Sequence, residues 1–237
     1  MDHEAFAKTL KELAKDNAKY AEFNSNVVNT QKKVLGVRVP DMRKLAKDIA
    51  KGMDTSAVLE FLKEADKDIY EEVAVSGFII VYSKPSETDK IALTREYLKY
   101  ADSWALIDSF VDRMKRFDKR LWFNFAEECL VSKEEFTVRY GVIRLMDSFL
   151  NEEHLTKVFA ALRSVKHEGY YVKMGMAWLY ATAAIYGFEK TIAELNRPST
   201  DPWTRGKALQ KMLESYRITD EQKTLIRELR KKRGDYK

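Results

Sequence analysis

A chain of 237 residues with 45% hydrophobic residues is long enough to bury one extended core, so we expect a single domain over residues 1–237. Its one cysteine, Cys129, excludes an internal disulfide and a cysteine-based zinc site, and a net charge of +5 favours anionic partners. There is no run of about 18 apolar residues, and the N-terminal segment is too charged for a signal peptide. We therefore expect a cytoplasmic protein without a membrane partner.

The sequence offers little support for metal or cofactor chemistry. Its three histidines, His3, His154 and His167, are too scattered to form a metal-binding motif. It has no glycine-rich phosphate loop and no histidine near Cys129. We expect neither a metal nor a cofactor, and Cys129 is expected to be a small core residue.

Helix-start signals recur along the chain, whereas strand patterns have almost no support. In chain order, Ser132-x-x-Glu135 has the form of a capping box that opens a helix. Asp201-Pro202 places a capping residue before a proline suited to a first turn, and Thr219-x-x-Gln222 is a second capping box. These signals predict a succession of short helices.

Five aromatic residues recur at intervals of 32 to 34 residues, and each is predicted to open a similar helix: Tyr70, Trp104, Phe136, Tyr170 and Trp203. The segments YEEVAVSGFI, FTVRYGVIRL and YYVKMGMAWL align without a gap and carry small residues where neighbouring helices would approach closely. This period is typical of one helix pair per repeat.

Repeats of two short helices cannot bury their apolar faces alone and must stack. The tetratricopeptide pattern is absent from this sequence, so HEAT-like repeats are the better interpretation. We expect an all-α, right-handed solenoid of about six HEAT-like helical pairs with a concave groove.

The segment SWALIDSF places Trp104 and Asp108 four residues apart, on one face of a helix. An aspartate flanked by Leu106, Ile107 and Phe110 is partly desolvated and needs a partner or a task. Spacing alone leaves two interpretations open. In the first, Trp104 is a core aromatic residue and Asp108 is an ion-pairing or capping residue. In the second, the two belong to a functional site.

Cations recur at one register of the aligned helices, which predicts that they line one wall of the groove. These candidate DNA-binding residues are Arg139, Arg144, Lys173, Arg205, Lys207 and Lys211. A basic groove suits a phosphate backbone, because each neutralised phosphate releases a condensed counterion. The alternative is a set of solvated or salt-bridged side chains, since 37 acidic residues are available to pair with them.

Four segments in order, KVLGVRVPDMRKLAKDI (Lys33 to Ile49), SWALIDSF, VRYGVIRLM and KMGMAWLYA, resemble signature segments of the AlkD-like family of HEAT-repeat DNA alkylation-repair proteins. By this resemblance Trp104 and Asp108 match an active-site tryptophan and the catalytic aspartate. Arg139 matches an arginine that grips the DNA backbone, and Trp178 matches a second tryptophan of the cleft. One position departs, because Ala181 stands where catalytic members carry a further arginine.

The resemblance implies a monomeric DNA-repair protein that binds double-stranded DNA and hydrolyses the N-glycosidic bond of N3- or N7-alkylated purines, with Asp108, Trp104 and Trp178 as its catalytic residues. Ala181 implies weakened glycosylase activity, and it favours the alternative of a non-catalytic protein that binds alkylated, bent or branched DNA. A helical-repeat scaffold for other proteins is a third interpretation, since fold does not fix function.

Overall fold

The computed structural model describes residues 3–111 and 117–233, and this part of the chain contains fourteen helices and no strand. The chain forms two compact units, Met1–Asp118 and Lys119–Lys237. The all-α expectation is confirmed for the described residues. The single-domain interpretation, the handedness, the number of pairs and the concave groove stay predictions.

The first unit contains seven helices: α1 (His3–Ala14), α2 (Ala18–Val28), α3 (Val39–Ile49), α4 (Thr55–Glu64), α5 (Tyr70–Tyr82), α6 (Glu87–Leu98) and α7 (Trp104–Phe110). Helix α5 packs against α3 and α7, while α4 and α6 pack against α5 and against each other. Every residue from Tyr70 to Ile80 is buried. Helix α5 is therefore the centre of this unit.

The second unit contains the remaining seven: α8 (Lys119–Leu130), α9 (Glu135–Phe149), α10 (Leu155–Leu162), α11 (Tyr170–Ala183), α12 (Phe188–Leu195), α13 (Pro202–Glu214) and α14 (Asp220–Arg233). Helices α9, α11 and α13 are neighbours in one row, and α8, α10 and α12 are neighbours in a second. Each helix of the first row also packs against the helix that follows it. This alternation is the expected helical repeat.

The repeated aromatic residues mark the starts of one class of helix, as predicted. Tyr70, Trp104 and Tyr170 are the first residues of α5, α7 and α11, while Phe136 and Trp203 are the second residues of α9 and α13. Small residues also have the expected effect between helices. A Cβ atom at Gly141 would lie 2.8 Å from the carbonyl oxygen of Ala126, so this glycine permits the close approach of α8 and α9.

Two of the three predicted helix starts are correct. The Asp201 carboxylate accepts from the Thr204 backbone N–H at 2.7 Å, and Thr219 and Gln222 form a reciprocal capping box. The Ser132 prediction is wrong. Its hydroxyl accepts from the Glu134 backbone N–H in a turn, and α9 begins at Glu135.

Cys129 is buried on α8, as expected for a small core residue. In the described part of the chain, no helix is both long enough and apolar enough to cross a membrane.

Candidate functional site

Trp104 and Asp108 both lie on α7, as the spacing predicts. Its other face is buried through Ala105, Leu106 and Phe110, while Trp104 and Asp108 stay half-buried. The helix begins where the Ser103 hydroxyl accepts from the Ala105 backbone N–H at 3.1 Å. With seven residues, α7 is too short to be stable by itself, so its position depends on its neighbours.

The first turn of α7 is fixed to the end of α2. The Ser103 hydroxyl donates to the Val28 carbonyl oxygen at 2.6 Å and is fully buried. The Trp104 indole N–H donates to the Val27 carbonyl oxygen at 3.1 Å. Because that bond fixes the polar edge of the indole, the ring has a defined orientation beside Asp108.

Tyr97 holds the middle of α7 from α6. Its hydroxyl donates to the Leu106 carbonyl oxygen at 3.0 Å, and its side chain is completely buried. A Cβ atom at Gly77 would lie 2.9 Å from the Tyr97 ring, so the ring reaches α7 because residue 77 has no side chain. Burial raises the pKa of the Tyr97 hydroxyl far above its usual value, which keeps this donor protonated.

Arg43 on α3 holds the end of α7, and sequence reasoning did not identify it as a site residue. Its guanidinium donates to the Ser109 carbonyl oxygen at 2.6 Å and to the Tyr82 hydroxyl at 3.0 Å, and lies 4.3 Å from the centre of the Phe78 ring. Arg43 belongs to the segment that carried the first part of the family resemblance. It positions the backbone next to Asp108.

The loop before α3 is organised by a buried carboxylate. Glu71 is fully buried, and its oxygens accept from the backbone N–H groups of Leu35, Gly36 and Val37 at 2.9, 2.8 and 3.2 Å. Three charge-assisted bonds to one carboxylate fix this loop and hence the start of α3. The resemblance over Lys33 to Ile49 therefore includes residues that position α7 indirectly.

In the second unit, Arg139 and Arg144 on α9 are buried, and their place on a basic groove wall stays a prediction. Arg139 donates to the Tyr171 carbonyl oxygen on α11 at 2.7 Å. Arg144 lies 5.1 Å from the centre of the Trp122 ring and donates to the Tyr140 hydroxyl at 3.3 Å. Helix packing places these charges between helices, and their direct contact with phosphates stays a prediction.

Lys173 on α11 is half-buried and paired with acids, as in the salt-bridged alternative. Its ammonium group lies 2.5 Å from a Glu168 carboxylate oxygen and 3.4 Å from one of Asp201. The hydrogen bond to Glu168 raises the pKa of Lys173, and the charge of Asp201 acts in the same direction. Lys173 therefore links the start of α11 to the start of α13.

The remaining candidates are less buried than Arg139 and Arg144. Arg205, Lys207 and Lys211 on α13 are half-buried, and Trp178 on α11 is 42% exposed. The position that departs from the resemblance, Ala181, is buried on α11. The candidates thus divide into two groups. Trp104 and Asp108 share α7 in the first unit, and the cations and Trp178 lie on the adjacent helices α9, α11 and α13 of the second.

A comparison with known families agrees with this description. The sequence profile of the family described as DNA alkylation repair enzyme matches residues 7–212. That range includes α2 to α12 and α13 as far as Met212, with all the candidate residues above. A search of curated proteins finds no match. The chain therefore belongs to the DNA alkylation repair enzyme family, a membership that supports a role in DNA repair and implies an interaction with DNA.

Proposed function

We propose that this protein binds duplex DNA and hydrolyses the N-glycosidic bond of N3- or N7-alkylated purines. The observation that carries the proposal is the arrangement of α7. Ser103, Trp104 and the carbonyl groups of Leu106 and Ser109 are all hydrogen-bonded to other helices or their ends, while the side chains of Trp104 and Asp108 stay partly exposed. Rigid support beneath an accessible carboxylate is what a site for charge stabilisation needs.

The proposed chemistry needs one carboxylate. A purine alkylated at N3 or N7 carries a positive charge, so when the glycosidic bond breaks it takes the bonding electrons and leaves as a neutral base. Positive charge then develops on the deoxyribose, where Asp108 stabilises it and orients the attacking water. Water forms the new bond to the anomeric carbon and loses a proton to Asp108 or to the solvent. No protein acid is required, because the base already leaves as a neutral molecule.

Aromatic side chains support the same role. The indole of Trp104 lies on the face of α7 that carries Asp108, and aromatic faces attract cations with about 0.5 to 2 kcal/mol. By the resemblance, Trp178 is a second such ring, and it is accessible on α11. The accessible cations Lys207 and Lys211 on α13 support binding of the phosphate backbone.

The decisive experiment measures base release. Purified protein is incubated with duplex DNA that carries 7-methylguanine or 3-methyladenine, and the free base is quantified by chromatography. Release above that of DNA alone is the expected result. If methylated duplex is bound but no base appears, catalysis is excluded and the non-catalytic binder is supported.

Ala181 is the observation that favours this second candidate. The arginine expected by resemblance is replaced by a small, buried residue, so position 181 supplies no charge to a phosphate. Loss of one charge-assisted contact of roughly 1.5 to 3 kcal/mol corresponds to about one to two orders of magnitude in affinity or rate. We therefore expect base release to be slow unless another cation takes its place.

A further inference from the structure

The repeated aromatic residues differ greatly in exposure, although they occupy equivalent positions. Tyr70 is 3% exposed and belongs to the core of the first unit. Tyr170 is 57% exposed and Trp203 is 40% exposed. Packing in the core explains why residue 70 is aromatic. It does not explain the large aromatic side chains of Tyr170 and Trp203, which are exposed.

These two exposed rings contact each other across adjacent helices. The ring centres of Tyr170 on α11 and Trp203 on α13 are 5.8 Å apart, with a 62° angle between the planes. Tyr170 also meets Tyr171 at 5.2 Å, and Tyr171 meets Phe136 on α9 at 5.5 Å. Tyr171 and Phe136 are half-buried, while the outer pair of Tyr170 and Trp203 stays exposed.

Two lysines follow Trp203 on α13, Lys207 and Lys211. The ammonium group of Lys207 lies 5.9 Å from the centre of the Trp203 ring, and Lys211 is one further turn along the same face. The nearby carboxylates of Glu168 and Asp201 are paired with Lys173. The surface beside the rings therefore suits an anionic ligand that also has flat apolar faces.

We propose that Tyr170 and Trp203 form a stacking platform for unpaired bases of a DNA strand, with Lys207 and Lys211 contacting its phosphates. Proteins that hold single strands combine aromatic side chains, on which bases stack, with a positively charged track for the backbone. An intact duplex stacks its bases on each other and offers no free face to such a platform. The inference rests on the proposed DNA binding and adds unpaired regions to the substrates recognised.

The test compares single-stranded and duplex probes. Fluorescence anisotropy is measured with a labelled oligothymidylate of about 20 nucleotides, longer than a typical single-domain site, and with a duplex of the same length. Trp203→Ala is expected to weaken binding of the single strand by roughly 10-fold, since each stacked base contributes about 1 to 3 kcal/mol. Duplex binding should change by less than about twofold, because the platform does not contact paired bases.

Two controls separate stacking from general effects. Tyr216 is 93% exposed and lies in the turn after α13, away from the platform residues in sequence, so Tyr216→Ala should leave both affinities unchanged. Trp203→Phe retains an aromatic face and should retain most of the single-strand affinity. A probe of abasic deoxyribose phosphates keeps the charges without the bases, so Trp203→Ala should not weaken its binding.

The outcomes are distinct. Equal losses on single strand, duplex and abasic probe would show that Trp203 acts through the backbone or the fold, and would overturn the platform. Unchanged single-strand affinity in Trp203→Ala would overturn it as well. If the unmodified protein still binds duplex DNA and releases base, that result overturns the platform alone. If the unmodified protein binds no DNA at all, the proposed function is overturned as well.

Discussion

Asp108 is the residue on which the proposed chemistry depends. Asp108→Asn keeps the size of the side chain and removes its charge, so we expect base release to fall by roughly 100-fold or more, as for the loss of a group that stabilises transition-state charge. DNA affinity should stay within about twofold, because that charge develops only during bond cleavage. Single-turnover release and anisotropy on the same methylated duplex check both expectations.

A matched control uses another half-buried aspartate of the described chain. Asp147 on α9 accepts from the Ser148 hydroxyl and belongs to neither candidate group. Asp147→Asn should leave base release unchanged. An active Asp108→Asn protein would show that the carboxylate has another role, and a lowered melting temperature in that variant would identify the role as structural.

Arg43 acts at the residue scale through the backbone beside Asp108. Arg43→Gln removes two charge-assisted bonds, to Ser109 and Tyr82, and should lower the free energy of unfolding by roughly 2 to 4 kcal/mol. Base release should slow with little change in substrate affinity, because α7 loses a support while its own side chains remain. Urea denaturation and a comparison of kcat with KM measure these effects.

Lys44 provides the control, since it is the exposed neighbour of Arg43 on the same helix. Lys44→Gln should match the unmodified protein in stability and rate. Arg43→Lys retains the charge but not the fork of donors, so partial rescue is expected. Full stability in Arg43→Gln would mean that α7 does not need this support.

At the scale of single elements, α13 depends on its N-cap. Burial opposes ionisation of Asp201, but bonds from the backbone and side chain of Thr204 and the charge of Lys173 hold its pKa below the usual value. Asp201→Ala should therefore lower the free energy of unfolding near neutral pH by about 1 kcal/mol. Denaturant titrations of the two proteins measure the difference.

The pH dependence of that difference has a definite sign. Because the pKa of Asp201 is lowered in the folded protein, its ionic stabilisation is present above the unfolded-state pKa of about 3.9 and is lost as the pH falls through the folded pKa. The two proteins should converge in stability in acid. Asp201→Asn keeps a capping oxygen without the charge, so its loss of stability near neutral pH should be smaller than that of Asp201→Ala, and its own N-cap contribution should not depend on pH.

Local patterns predicted the elements well and their long-range contacts poorly. The spacing from Tyr70 to Trp203 located the starts of five helices, because a repeat carries the same local signal each time. Ser132 matched a capping pattern, yet its hydroxyl serves a turn before α9. Arg43 was missed as a site residue because its partners lie 39 and 66 residues away, beyond any local pattern.

The sequence also could not predict which cationic side chains are buried. The repeat register showed that Arg139 and Lys173 occupy equivalent positions. It did not show that Arg139 donates to a carbonyl oxygen of α11, or that Lys173 pairs with two acids. A charge at a repeated position indicates a face of a helix, and the packing of neighbouring helices decides whether that face is open. Only a structure resolves this difference.

At the scale of the whole molecule, the carboxylate of the proposed reaction and the lysines proposed to contact phosphates lie in different compact units. Trp104 and Asp108 belong to the first, and Trp178, Lys207 and Lys211 belong to the second. Variants of the two groups should therefore affect different measured quantities. Changes at Asp108 should alter the rate at saturating protein, while changes at Lys207 and Lys211 should alter affinity and its dependence on salt.

The salt dependence gives the sharpest test of the second group. If Lys207 and Lys211 each contact one phosphate, the double change Lys207→Gln and Lys211→Gln should reduce the slope of log affinity against log salt by about two units. Anisotropy titrations of an unmodified duplex over a range of salt concentrations measure that slope. The exposed lysines Lys44 and Lys51 of the first unit, changed together to Gln, remove the same charge and serve as the control. An equal reduction by both double variants would show that net charge, and not the face of α13, governs binding to the duplex.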